Sequence, residues 1–134
     1  MDVILSIKPK YVEKIIKGKK KFEFRRKIFK AEHIDRIVVY SSMPVKKVVG
    51  YFTVKAIYSN APDELWKEHK KYSGISKKEF ILYFKNSSIG YAIEINEFKS
   101  FKRPLELLDI GINGRPPQSY MYIKNNMPLI QEDF

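Results

Sequence analysis

Residues 18–26, GKKKFEFRR, set five Lys or Arg, one Glu and two Phe behind a glycine, and the reading of this stretch decides the fold around it. From Lys20 to Arg26 the order alternates with period two, the spacing of a strand, with Phe22 and Phe24 on one face and Lys21, Glu23 and Arg25 on the other. The phenylalanine face is expected to enter a core, and the other to look away from it and present an acid between two bases. Glu23 is then either a cross-strand ion-pair partner that makes a basic strand tolerable, contributing at most ~1 kcal/mol if exposed, or the one acid that a binding or catalytic site needs.

Upstream, VILSI at 3–7 reads as a short, mostly buried strand, and Pro9 suits the first turn of a helix, where a missing N–H costs nothing. Tyr11, Val12, Ile15 and Ile16 recur at helical spacing, and Gly18 supplies a left-handed residue to end the helix. Downstream, RIVVY at 36–40 is an unbroken apolar run expected to be buried on both sides, with SSMPVKK as the following loop. Val48 to Tyr58 reads as a long strand with a bulge or close approach at Gly50.

A helix capped by Asn60 or Ala61 is expected from Pro62 to about Tyr72-Ser73-Gly74. A second, shorter one follows a capping box at Ser76 and Glu79, with Phe80, Ile81 and Phe84 as its buried face. GYAIEINEF at 90–98 alternates again and should be a half-exposed strand. The stretch from Lys99, rich in Pro and Gly, reads as a chain wrapping the domain before a last short element at Ser119 to Ile123. The resulting order is α+β, with a curled antiparallel sheet as the most economical architecture.

At 134 residues with 44% hydrophobic and 14% aromatic content, the chain is long enough for one compact domain, 1–134, and too short for two ordinary ones. Nowhere do eighteen apolar residues follow one another, so neither a membrane span nor a signal peptide is expected. The absence of cysteine fits a reducing cytoplasm and excludes disulfides and thiolate metal sites; His33 and His69, far apart, are assigned no chemistry, and neither metal nor cofactor is expected.

The +11 charge is concentrated. Lys8 to Lys30 holds eleven Lys or Arg and two Glu, a net +9. Such clustering points to a polyanion, because cationic faces attract phosphates and release their counterions. A set of solvated surface lysines in a lysine-rich chain would give the same count.

The pattern Gly18-x-Lys20-x-x-Glu23-x-Arg25, after a short helix and opening a strand, resembles the signature of the ASCH domain, a branch of the PUA-like superfamily. The likeness extends through LSIKPKYVEKIIKGKKKFEFRR, VVYSSMPVKKVVGYF, LWKEHKKYSGISKKEF, GYAIEI and PPQSYMYI, covering essentially the whole chain. It implies a small β-barrel of about five to six mostly antiparallel strands with flanking helices, and a cleft between the first helix and the barrel. PUA-like domains commonly bind RNA or modified nucleotides, so RNA or a modified nucleotide is the expected partner. A regulatory or RNA-processing role is implied with it, and a protein partner remains open as a third reading.

The family motif nominates Gly18, Lys20, Glu23 and Arg25 for that cleft, and Lys8 and Arg26 are expected to hold phosphate with them. Lys20 and Arg25 suit phosphate or an electron-rich base edge, and Glu23 suits fixing their geometry or accepting from a base amine. Tyr40, Ser41 and Ser42, at a strand end, either project hydroxyls into the cleft or form an ordinary turn. Gln118, behind Pro116 and Pro117, either reads a base edge or starts the last element, and Trp66 and Tyr72 either stack on bases or pack.

The alternative is a hydrolase using the same cleft, an N-acylcytidine amidohydrolase or a ribonuclease, with Lys20 and Glu23 as catalytic groups. In the amidohydrolase branch a threonine stands where this chain has Glu23. A carboxylate would repel the tetrahedral oxyanion, and its pairing with Lys20 is expected to raise the lysine's pKa, the wrong direction for a nucleophile.

Overall fold

The computed structural model describes residues 1–30 and 32–123; residues 124–134, included in the expected 1–134 domain, lie outside the described residues. The elements run β1 (Asp2–Ile7), α1 (Pro9–Ile16), β2 (Phe22–Arg25), β3 (Arg36–Ser41), β4 (Lys47–Asn60), α2 (Pro62–His69), α3 (Lys77–Tyr83), β5 (Gly90–Leu105) and β6 (Tyr120–Ile123). Short 3-10 turns at Lys70–Tyr72 and Leu107–Ile110 complete them. Among the described residues no helix is long and apolar enough to cross a membrane.

Local signals account for most boundaries. Pro9 and Pro62 open their helices, where the first N–H groups have no intrahelical partner. Gly18 ends the first one at φ +75, its N–H donating to Ile15 O while the Lys19 and Lys20 amides both reach Lys14 O. Ser76 caps α3, its hydroxyl accepting from the Glu79 N–H at 3.1 Å. The capping box stops there. One Glu79 carboxylate oxygen accepts from the Ser76 hydroxyl at 3.3 Å, and the other accepts from Lys10 and the Tyr11 hydroxyl, at 2.6 and 2.5 Å, and so ties α3 to α1.

Hydrogen bonding joins the strands in the order β2-β5-β4-β3-β1-β6. Four pairings are antiparallel, but β1 and β3 run parallel because α1 and β2 intervene as a crossover, so the expected antiparallel sheet is a mixed one. Nor does it close into the expected barrel. Among the described residues β2 bonds only to β5 and β6 only to β1, and no ladder joins the two edges. The segment arriving at that seam carries Pro116 and Pro117, which have no N–H to donate. A side chain spans the gap instead: Arg25 of β2 donates to Ser6 O on β1 (2.7 Å) and to Ser119 O just before β6 (3.2 Å).

Apolar side chains gather on both sheet faces. One core joins Val3, Leu5, Ile37, Val39, Phe52 and Ile93 to Val12 and Ile15 of α1. A second joins Ile4, Val38, Tyr40, Val48, Phe101 and Ile110. A third places Phe24 and Ala92 under Leu65, Phe80 and Phe84 of the α2–α3 region. This two-sided burial is why VILSI and RIVVY are continuous runs, and why Ala92 and Ile93, on opposite faces of the expected half-exposed strand, are both fully buried. β5 also runs on to Leu105, through what reads in sequence as the start of an irregular tail. Ile81, expected on the buried face of α3, is 57% exposed.

Candidate functional site at the open seam

The gap between the sheet edges forms one side of a cleft of about 810 Å³ that also borders α1 and α3. It brings together Lys8, Lys20, Glu23, Arg25, Arg26 and Gln118; Gly18, Tyr40, Ser41 and Ser42 are not among its lining residues. Tyr40 packs in the second core, Ser41 is buried in β3, and the Ser42 N–H donates to Ile7 O at 3.0 Å. Gly18 acts through geometry, since its left-handed turn delivers Lys20 to the floor.

Both faces of β2 are covered, contrary to the expectation that Glu23 and Arg25 face away from a core. Glu23 and Arg25 are each 7% exposed and Lys20 3%, whereas Phe22, on the supposed core face, is only half-buried. The cause is α1 with the 72–75 turn, which close over the polar side of the strand: the Lys21 N–H donates to Tyr72 O at 2.8 Å and Lys14 Nζ to Gly74 O at 3.2 Å. Period-two spacing separates two faces without stating how much chain later packs on each.

Within this floor the groups are tightly engaged. Arg25 contacts the Glu23 carboxylate through Nε at 3.1 Å and through a terminal nitrogen at 2.9 Å. Lys20 Nζ donates to Ser73 O at 2.7 Å and lies 3.8 Å from the other Glu23 oxygen, with the Tyr11 and Phe24 rings 5.1 Å away. Burial pushes the Lys20 ammonium down to about 8. The Glu23 carboxylate opposes this, and Lys14 and Arg25 add to it. The expectation that pairing with Glu23 raises this pKa is therefore corrected, because taking an ammonium out of water outweighs one partner at 3.8 Å.

Sequence reasoning missed several lining groups. Tyr11 reads as a packing residue of a helix, and Glu79 as a cap. Here burial and the Glu79 hydrogen bond raise the pKa of Tyr11, while Lys10 and Tyr11 hold Glu79 well below the usual carboxylate range. Tyr83 accepts from the Arg26 N–H at 3.2 Å and lies under its guanidinium at 4.8 Å. Gly74 is the clearest omission. At φ +66 it passes so near Lys20 that an added Cβ would sit 2.4 Å from the lysine Cβ. A glycine after Tyr-Ser is a turn signal in sequence, and nothing there says what crosses it.

Altogether five cations, Lys8, Lys20, Arg25, Arg26 and Lys27, line the cleft against two carboxylates, both already bonded to cationic groups. Among the described residues no cluster of three His, Cys, Asp or Glu side chains offers a metal site.

The profile of the ASCH domain matches residues 5–104. An ASCH domain-containing ribonuclease of Zymomonas mobilis subsp. mobilis is 29% identical over 126 residues, covering 92% of this chain and 84% of that protein. The crystal structure of ASCH from Zymomonas mobilis superposes with a TM-score of 0.85 at 27% identity, covering 98% of this chain and 92% of that one. The large ribosomal subunit protein uL22 of Ureaplasma parvum serovar 3 is 25% identical over 122 residues, but this chain spans only 39% of its length. With the family profile covering most of the chain and the same fold in the Zymomonas protein, this chain belongs to the ASCH domain family.

Proposed function

We propose that this chain binds RNA or a modified nucleotide in the seam cleft, with exposed Lys8, Arg26 and Lys27 on phosphates and Gln118 and the Glu23–Arg25 floor against a base. The observation that carries this reading is the charge balance of the cleft. Five cations share one concave site with two acids that are already engaged, so an incoming anion meets uncompensated positive charge. The name of the Zymomonas relative, a ribonuclease, supports RNA as the polyanion. The test is anisotropy of a labelled single-stranded RNA across a salt series. Wild type should lose affinity steeply with salt, and Lys8→Glu/Arg26→Glu should weaken binding at least about tenfold. Binding no tighter than that of an equally basic control protein would refute the reading.

A second reading, turnover in the same cleft, is favoured by the lowered pKa of Lys20. An ammonium with a pKa of about 8 leaves roughly a tenth of the molecules with a neutral amine at pH 7, enough to act as a base. In a ribonuclease, neutral Lys20 would take the 2′-hydroxyl proton as the 2′ oxygen attacks phosphorus. The 5′ oxygen would leave with a proton from water, giving a 2′,3′-cyclic phosphate and a 5′-hydroxyl. For N-acylcytidine deacetylation the same lysine is favourable, but Glu23 in place of a hydroxyl opposes the oxyanion. Incubation of wild type and Lys20→Gln with RNA and with N-acetylcytidine decides: product from wild type alone, rising through pH 8, supports turnover, and equal product from both removes it.

A further inference from the structure

On the other side of α3 lies a second recess, a groove of about 650 Å³ between α2 and α3. Half-buried Trp66, packed at 5.0 Å on Phe80, lies in it, with Lys67, Lys70, Lys77 and Lys85 around it and Asp63 as the acid of the lining. Among the described residues Lys70, Lys77 and Lys85 have no acidic partner, while Lys67 reaches Glu64 only at 3.5 Å. Ser87 lines both this groove and the cleft, so the two recesses meet beyond the C-terminal end of α3. The ridge between them carries Ile81 and Leu82, 57% and 69% exposed, the first lining the groove and the second the cleft. Neither joins a core cluster, so the fold does not account for two adjacent aliphatics in water.

We infer that an RNA strand held in the cleft continues across α3 into this groove, where a base stacks on Trp66 and the lysines take the flanking phosphates. The inference rests on the cleft reading above. Its chemistry favours nucleic acid over an acidic peptide. Both walls are helices, so no strand edge is offered to a peptide main chain. What is offered is an indole, two aliphatics and lysine tips, the combination that takes bases and backbone of a single strand irrespective of sequence.

Trp66 is the only tryptophan, so its fluorescence reports on this groove alone. A uridine dodecamer should quench it and a dinucleotide, held in the cleft, should not. The exposed pair Lys70→Glu/Lys85→Glu should leave dinucleotide affinity within about twofold, weaken the dodecamer about tenfold or more, and flatten its log–log salt slope by roughly 1.4, the share of two single-strand phosphate contacts. An unquenched Trp66, or dodecamer binding unchanged in the double variant, overturns the inference. So does equal quenching by polyglutamate at the same salt, which would assign the groove to an acidic protein. Lys8→Glu/Arg26→Glu separates the two readings: if dinucleotide binding is untouched by it while the dodecamer still quenches, the cleft reading falls and the groove keeps its RNA.

Discussion

Among the described residues of this sheet stand two acid–arginine pairs with a buried carboxylate, and only one of them is charge-balanced. At the start of β1, Asp2 is fully buried and takes Arg36, its register partner on β3, through two bonds of 3.2 and 2.9 Å. One carboxylate meets one guanidinium, and neither residue lines the cleft or the groove. In β2 two Arg25 nitrogens meet one Glu23 oxygen, and the pair has a third member, Lys20, which leaves a surplus positive charge in a nearly dry floor that lines a cleft. A closed pair is explained by folding alone. An unbalanced trio carries a desolvation cost that folding does not require, and the pKa of Lys20 registers that cost.

The largest effects should come from removing the two acids. Glu23→Gln leaves a buried arginine without its counterion and should lose on the order of 3–5 kcal/mol in urea unfolding, while Asp2→Asn, whose partner Arg36 is only partly buried, should lose less. The pairs part company in binding. Glu23→Gln also raises the positive charge of the cleft, so its folded fraction should bind RNA more tightly than wild type, whereas Asp2→Asn should bind like wild type. Equal RNA affinity for both variants would break the distinction.

A smaller effect sharpens it. Between pH 8 and 10.5 the unfolded chain keeps a Lys20 proton that the folded chain has lost, so the unfolded state binds more protons and stability rises with pH. Below pH 8 the cost is fully present; above 10.5 it is gone. Measured against Lys20→Met at each pH, the wild type should gain about 3 kcal/mol from pH 7 to pH 11. A flat difference would mean the lysine is not held in a desolvated site.

The contrast also marks how far the sequence could be read. The capping residues, the prolines at helix starts, the Gly18 stop and the apolar runs are local signals, and the elements they predict are present with their order intact. Closure of the sheet was not legible, because whether β2 meets β6 depends on how two chain ends separated by about ninety residues arrive at one seam. The same holds for the floor of the cleft. GKKKFEFRR carries its three charged members, but their burial comes from the 72–75 turn, whose four residues announce a turn and nothing of the lysine beneath it.

Gly74 therefore offers the finest test, set against Gly18. Both hold positive φ, +66 and +75, so alanine at either should cost about 1 kcal/mol or a little more in backbone strain. A Cβ added at Gly18 would meet nothing within 4 Å, and strain should be the whole effect. At Gly74 the new methyl would meet the Lys20 Cβ, Cγ and Cδ at 2.4 to 2.9 Å, and a side chain cannot yield at its Cβ without moving its root. Lys20 must shift, loosening its bond to Ser73 O and admitting water to the ammonium. Gly74→Ala should thus be the less stable of the two by a further 1 kcal/mol or so, and it should move the pH of the Lys20 transition upward while Gly18→Ala leaves it in place. Coincident transitions in the two variants would mean that Gly74 shapes only its own turn, and that the charged floor is set by β2 without it.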